Sequence, residues 1–172
     1  LFQTEGVEKV LDMGFGLGRH ALLFAKKQFV VYGLEPSPAG VEHARKWARR
    51  EELELRLLLG EMAHLPFNQN EFDLVIAWNV IYHGTTEYIH KTMKEITRCL
   101  KPDGYLLCTL ISAKHNKFGL GEEIERNTFV IPDEAEKSHP HHYFDVNEIH
   151  RFLSEFRLLK CEDMEQFYPG CF

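Results

Sequence analysis

The sequence predicts an α/β fold of the doubly wound type, with a mostly parallel, Rossmann-like sheet and helices on both faces. Apolar runs that suit strands alternate with amphipathic stretches that suit helices, as in a series of β–α–β units. Two of the runs, residues 72–80 and 104–112, are apolar throughout, which is typical of parallel strands covered on both faces. Because crossovers between parallel strands are right-handed, ligands are expected at the carboxyl ends of the strands.

Local signals define the first two β–α units. An apolar run at 9–14 ends in a glycine loop, and a helical stretch rich in Ala, Leu and Phe follows at 19–27. A second strand is predicted at 29–35. The helix after it has Ser37 as its cap and Pro38 at its first position, where the missing N–H costs nothing.

The later strands differ from one another in polarity. Leucines alternate with mostly polar residues in 53–59, which predicts a strand at an edge of the sheet. The two apolar runs, 72–80 and 104–112, are predicted to lie at its centre. Between them an apolar stripe at helical spacing predicts a helix that begins at Thr85 or Thr86.

The last third of the chain departs from this alternation. Residues 113–144 are polar and show no sustained period, which indicates an insert that is either functional or disordered. After it, Asp145 and Glu148 form an acidic cap for a last helix, and a strand is predicted at about 156–164. Residues 1–172 are interpreted as a single domain.

Composition and charge narrow the class of protein. With 20 basic and 26 acidic residues the formal net charge is −6, so binding to nucleic acid is not expected. Four scattered cysteines without a CxxC pair indicate reduced thiols. No apolar run approaches the roughly 18 residues that span a bilayer. We therefore expect a cytoplasmic protein, monomeric or homodimeric, without a membrane or nucleic-acid partner.

The glycine loop raises the question of its ligand. Gly14, Gly16 and Gly18 follow Asp12 and allow the backbone to approach a nucleotide closely. The dinucleotide fingerprint GxGxxG requires a third glycine where this chain has Arg19. Alone, the loop is compatible with a dinucleotide, with another nucleotide or with a turn that binds nothing.

Further segments narrow the choice. Glu35 ends the second strand, where an acidic side chain accepts both hydroxyls of a ribose. The segment GEMAHLPFNQNEFDLVIAWNV, residues 60–80, and the turn CLKPDGYLL follow in order. Across about residues 10–112 the chain resembles the class I S-adenosylmethionine-dependent methyltransferases of the methyltransferase-11/25 type. The segments at 121–132 and 138–145 also resemble its tellurite-resistance-type subgroup.

The resemblance implies S-adenosylmethionine as the cofactor and assigns its site residue by residue. Asp12 lies near the methionine amino group, Glu35 holds the ribose hydroxyls, and Pro36 lies beside the adenine. Glu61 faces the adenine amino group. The other residues implied to line the cofactor are Gly14, Phe15, Gly16, Met62 and Asn79.

The implied reaction is methyl transfer to a small-molecule acceptor by in-line displacement. Such a transfer depends on alignment more than on a side-chain nucleophile. His83 is the candidate catalytic base, because it follows the fourth strand and imidazole titrates near neutral pH. The insert 113–144 is expected to cover the cofactor as a lid and to build the acceptor pocket. Its candidate residues are Glu123, Glu125, Thr128, His142 and Tyr143.

Alternatives stay open at this stage. One is an NAD(P)-dependent oxidoreductase or epimerase, and another is a regulatory subunit that binds the cofactor without transferring its methyl group. No metal is expected at His139, His141 and His142, because adjacent histidines of a strand point to opposite faces. The family's N-terminal helix and last strand are expected to be missing from this chain.

Overall fold

A five-stranded parallel sheet forms the centre of the computed structural model, which describes residues 6–132 and 138–164. The strand order is β3-β2-β1-β4-β5, and all neighbouring pairs are parallel. The strands are β1 (Lys9–Met13), β2 (Val30–Glu35), β3 (Arg56–Leu59), β4 (Phe72–Ala77) and β5 (Leu100–Cys108). This arrangement confirms the predicted doubly wound, Rossmann-like fold.

Helices cover both faces of this sheet, as predicted. They are α1 (Arg19–Lys26), α2 (Pro38–Arg50), α3 (Thr86–Cys99) and α4 (Val146–Phe152). Leu11 of β1 belongs to the same buried cluster as Ile89 of α3. On the other face, Val31 of β2 clusters with Ala21 of α1 and Ala44 of α2. The alternation of side chains along the strands therefore divides the core into two layers.

Three predicted helix caps are confirmed. The side chains of Ser37, Thr85 and Asp145 each accept a hydrogen bond from the backbone N–H three residues further along the chain. Each satisfies one of the N–H groups that the first turn of a helix leaves without an intrahelical partner. Of the two candidate starts for α3, Thr85 is therefore the cap.

Two strand predictions are wrong. The run 104–112 was expected at the centre of the sheet, yet β5 pairs with β4 alone among the described residues and leaves Leu107 36% exposed. An apolar pattern reports how strand faces pack and does not report which strand lies beside which. Residues 157–164 form no strand, since a strand requires a hydrogen-bonded neighbour. In contrast, β3 lies at the sheet edge, as predicted.

The insert contains regular structure that the sequence pattern did not indicate. Three short strands, β6 (Glu122–Glu125), β7 (Thr128–Val130) and β8 (His141–His142), form an antiparallel sheet in chain order. The rings of Phe118 and Phe129 pack against Tyr143, which is 1% exposed. The insert thus has a small aromatic core of its own.

The expected absence of an N-terminal helix and of a last strand concerns the two ends of the chain, which lie outside the described residues. Within the described ranges, no helix has the length and apolar character needed to cross a membrane.

Candidate functional site

The strand order reverses between β1 and β4, and their carboxyl ends meet at this point. In open α/β sheets the crevice at such a switch point is the usual ligand site. Gly14 follows β1, and Val80 lies in the loop after β4. A Cβ atom added to Gly14 would lie 2.4 Å from Val80 Cγ2, so this position has no room for a side chain. The two loops therefore pack tightly against each other at the switch point, which is where a ligand crevice is expected.

The glycines of the loop serve different purposes. Gly14, Gly16 and Gly18 all have positive φ angles, a conformation that favours glycine. Added Cβ atoms would clash at Gly14 and, 2.8 Å from Ala44 Cβ, at Gly18. At Gly16 an added Cβ would meet nothing within 4 Å. The backbone of Gly16 is therefore the part of the loop that borders open space.

Phe15 contributes only its backbone to the loop. Its side chain is 6% exposed and packs against β2, where a Cβ at Gly33 would lie 2.6 Å from Phe15 Cδ1. The lining of a ligand by the backbone of residues 14–16 stays a prediction.

Asp12 carries the most unusual electrostatics of the crevice. Its side chain is 2% exposed, and burial raises its pKa to about 7. Glu35 raises the pKa further, while the backbone N–H of Ala21 lowers it. Within the described parts of the chain, no group donates a hydrogen bond to Oδ2 of Asp12. A buried carboxyl oxygen without a donor suits a ligand that brings a cationic N–H group.

Glu35 is hydrogen-bonded to the glycine loop. Its Oε2 accepts a hydrogen bond of 2.9 Å from the Gly16 backbone N–H, and its Oε1 accepts one of 3.0 Å from Ser37. The side chain is 8% exposed at the end of β2. Each carboxylate oxygen has two acceptor positions, so these bonds leave capacity for ligand hydroxyls.

The acidic residue after β3 has a partner that the sequence did not indicate. Glu61 Oε2 accepts a hydrogen bond of 2.9 Å from the Tyr88 hydroxyl. Burial, together with Glu61, raises the pKa of Tyr88 to about 12. The hydrophobic stripe of α3 predicts the buried Ile89 but says nothing about the hydroxyl beside it. Met62 is buried in the core, whereas Pro36 is exposed at the surface.

Asn79 is held in a strained conformation at the end of β4. Its φ angle is +58°, and its backbone N–H donates to Thr109 Oγ1 at 2.7 Å. The Thr109 hydroxyl donates in turn to Asn79 Oδ1 at 2.9 Å. Thr109 follows β5. Its contact with Asn79 exists because β4 and β5 are neighbours in the sheet, so it could not be predicted from the sequence.

His83 lies beside two histidines of the insert. Its Nδ1 is 2.7 Å from Nε2 of His139, and its ring centroid is 4.6 Å from that of His141. His142 points elsewhere, with its Nδ1 2.8 Å from Thr128 Oγ1. The alternation expected for adjacent histidines therefore holds, but sequence reasoning missed that His83 joins two of them.

The other residues proposed for an acceptor pocket hold the insert together. Glu125 accepts hydrogen bonds from the backbone and hydroxyl of Thr86 and from the hydroxyl of Thr128. Glu123 accepts one from the Asn127 backbone N–H at 3.0 Å. Of the five candidates, His142 alone lines the cleft of about 220 Å³ between the insert, α3 and α4. Other residues that line it include Thr86, His90, Phe144, Glu148 and Arg151.

Comparison with known proteins gives consistent matches. The family described as a methyltransferase domain matches residues 10–104, more than half of the chain. The uncharacterized methyltransferase YodH of Bacillus subtilis is 29% identical over 100 residues, which cover 58% of this chain and 42% of the relative. The glycine/sarcosine/dimethylglycine N-methyltransferase of Actinopolyspora halophila is 32% identical over 122 residues, covering 64% and 20% respectively.

The solved structures agree on the fold. A structure described as a SAM-dependent methyltransferase from Methanosarcina mazei superposes with a TM-score of 0.75. The two chains are 21% identical, and the match covers 87% of this chain and 78% of the other. This chain spans less than half the length of the two curated relatives described above.

Proposed function

Because the chain belongs to the class I S-adenosylmethionine-dependent methyltransferases, we propose that it binds this cofactor in the crevice between β1 and β4 and transfers its methyl group to a small-molecule acceptor. The observation that carries the proposal is the buried carboxyl group of Asp12, whose Oδ2 has no donor among the described residues. The α-amino group of the cofactor is a cationic donor of the kind this oxygen lacks.

The residues around Asp12 suit the rest of the cofactor. Glu35 would accept the ribose hydroxyls on its remaining acceptor positions, and the open backbone of Gly16 would lie against the ligand. Glu61 would receive the adenine amino group while keeping its bond to Tyr88. Residues with smaller proposed contributions are Gly14, Phe15, Pro36, Met62 and Asn79.

The sulfonium of the cofactor supplies an activated methyl group. The protein then has to hold the acceptor in line with the breaking bond and exclude water, and such positioning contributes about 7–11 kcal/mol. His83 is proposed as the base for an acceptor that must lose a proton. Its Nε2 lies 3.0 Å from the Asn79 carbonyl oxygen and so carries the proton, which leaves Nδ1 as the basic nitrogen once its 2.7 Å contact with His139 Nε2 is exchanged for the acceptor.

The insert, residues 113–144, is proposed as the lid and the acceptor region. The backbone N–H of Gly84 donates to the Pro140 carbonyl at 2.8 Å, and that of His142 donates to Tyr82 at 2.9 Å. These bonds attach the insert to the loop after β4, beside Asn79. A small-molecule acceptor is consistent with the relative named for glycine and its methylated derivatives.

Methyl transfer from isotopically labelled S-adenosylmethionine tests the proposal. The full-length protein is incubated with the labelled cofactor and a fractionated metabolite extract, and label is followed into low-molecular-mass products. We expect label in a small molecule with the natural protein and a loss of at least about tenfold with Asp12→Asn, since a charge-assisted hydrogen bond is removed. Label transferred only to macromolecules, or to nothing despite cofactor binding, would contradict the small-molecule assignment.

A further inference from the structure

We propose that His83, His139 and His141 form a binding site for a divalent transition-metal ion of the Zn²⁺ type. One ring nitrogen of each histidine lies within 4.8 Å of those of the other two. His141 is 2% exposed, His83 is half-buried and His139 is exposed, so the cluster extends from the core of the insert to the surface. Three converging imidazoles are the protein ligands of many catalytic zinc sites.

The backbone fixes two of these side chains together. His83 and His141 are paired in an antiparallel bridge, although they come from different parts of the chain. The hydrogen bonds from Gly84 to Pro140 and from His142 to Tyr82 continue this pairing on either side. The proximity of His83 and His141 therefore arises from backbone pairing, and His139 joins them through an exposed side chain.

Hydrogen bonds to carbonyl groups set the protonation of two rings. His83 Nε2 lies 3.0 Å from the Asn79 carbonyl oxygen, and His141 Nδ1 lies 2.9 Å from that of His139. A carbonyl oxygen can only accept, so each of these nitrogens donates its proton. In a neutral ring the lone pair then lies on the opposite nitrogen. Histidines that bind metals have this arrangement, with the second N–H held by a carbonyl or carboxylate.

The third ring is positioned to join them. Because His83 Nε2 donates to Asn79, the 2.7 Å contact between His83 Nδ1 and His139 Nε2 is a bond in which His139 donates. A metal ion would replace that proton. Zn–N bonds of about 2.0–2.1 Å in a tetrahedral arrangement place two ligand nitrogens about 3.3 Å apart. The His83–His139 separation of 2.7 Å therefore has to widen by about 0.6 Å, and ring nitrogens as far apart as 4.8 Å have to approach by about 1.5 Å.

The donor set selects the type of ion. All three ligands are imidazole nitrogens, and no carboxylate of the described residues belongs to the cluster. Mg²⁺ and Ca²⁺ prefer oxygen ligands, whereas Zn²⁺ and its transition-metal neighbours bind imidazole well. Three protein ligands leave a fourth position for water or for a substrate.

The fourth coordination position of the ion lies near the crevice. A role for it in methyl transfer rests on the proposed function. His83 is hydrogen-bonded to Asn79. Val80, the residue after Asn79, packs against Gly14 of the glycine loop. An acceptor hydroxyl or thiol bound to the ion would lose its proton more readily and be held near the transferred methyl group. In that arrangement His83 Nδ1 binds the ion and is no longer a base, so the ion would acidify the bound acceptor and the released proton would pass to solvent.

Metal titration of the full-length, chelator-treated protein tests the site without any activity assay. Zn²⁺ binding is measured by calorimetry, and Co²⁺ binding by the visible absorption of a four- or five-coordinate complex. We expect one ion per chain and a loss of about 100-fold or more in affinity for His139→Ala and for His83→Ala. His43→Ala and His150→Ala, which remove exposed histidines from α2 and α4, should bind as the natural protein does.

His139 is the decisive position, because its exposed side chain can be removed without opening the core. Far-UV circular dichroism confirms that each variant is folded. Metal binding that His139→Ala and His83→Ala leave unchanged, or no binding at all, would overturn the proposal. Binding of S-adenosylhomocysteine is measured in parallel, so failure of the metal site and failure of the cofactor site are separate results.

Discussion

The carboxyl group of Asp12 is buried at the end of β1, and this burial raises its pKa from 3.8 to about 7. A neutral pH therefore imposes an unfavourable charge on the folded chain unless a cation lies nearby. The ammonium group of the proposed cofactor would be such a cation. Cofactor binding is thus expected to offset the free-energy cost of burying the charged carboxylate of this single residue.

This cost makes the stability of the protein depend on pH in a specific way. Between about pH 4 and pH 7 the folded state binds more protons at Asp12 than the unfolded state does, so its contribution to stability is greatest below pH 4 and falls as the pH rises. The slope is at most about 1.4 kcal/mol per pH unit. Asp12→Asn removes it, so the variant should gain stability relative to the natural protein between pH 5 and pH 8.

Urea unfolding of the natural protein and of Asp12→Asn at pH 5 and at pH 8, without cofactor, measures this difference in stability. Comparing the two proteins cancels the contributions of all other titrating groups. A stability difference that stays the same from pH 5 to pH 8 would show that Asp12 titrates as an ordinary exposed carboxyl group.

At the scale of elements, the crevice depends on the contact between the loops after β1 and β4. Gly14 and Gly16 both have positive φ angles, so alanine strains the backbone at either position. Only at Gly14 does the added Cβ meet Val80, at 2.4 Å. Overpacking of this kind costs about 1–3 kcal/mol. We therefore expect Gly14→Ala to destabilise the protein by that amount more than Gly16→Ala.

Chemical unfolding of the two variants tests this expectation, and a second substitution identifies the cause. Adding Val80→Ala to Gly14→Ala removes the clash and should recover part of the lost stability. Equal destabilisation by the two glycine variants would mean that the loops do not pack as tightly as described.

Elements also show where sequence reasoning succeeds. Ser37 followed by Pro38, and Asp145 followed by Glu148, are local signals, and both mark the helix starts that the structure has. The strand at 104–112 was misplaced because its neighbours depend on pairing between distant segments. Helix caps can be predicted from a few adjacent residues. The neighbour of a strand in a sheet depends on the whole chain.

At the scale of the whole molecule, the same distinction applies to the candidate site. Asp12 and Glu35 were predicted as site residues because they lie at or next to the last residues of β1 and β2, whose carboxyl ends share one edge of the sheet. The contacts of Glu61 with Tyr88 and of His83 with His139 were not foreseen, since each joins a loop to a segment far along the chain. No periodicity connects such pairs.

The most direct test of the cofactor site compares two ligands by titration calorimetry. S-adenosylhomocysteine carries the amino group proposed to face Asp12, and 5′-methylthioadenosine lacks it while keeping the adenosine. We predict that Asp12→Asn weakens binding of S-adenosylhomocysteine by about 10- to 100-fold, the range for a hydrogen bond to a charged group. Binding of 5′-methylthioadenosine should be unchanged. If Asp12→Asn binds S-adenosylhomocysteine as tightly as the natural protein does, the cofactor does not lie where the crevice places it.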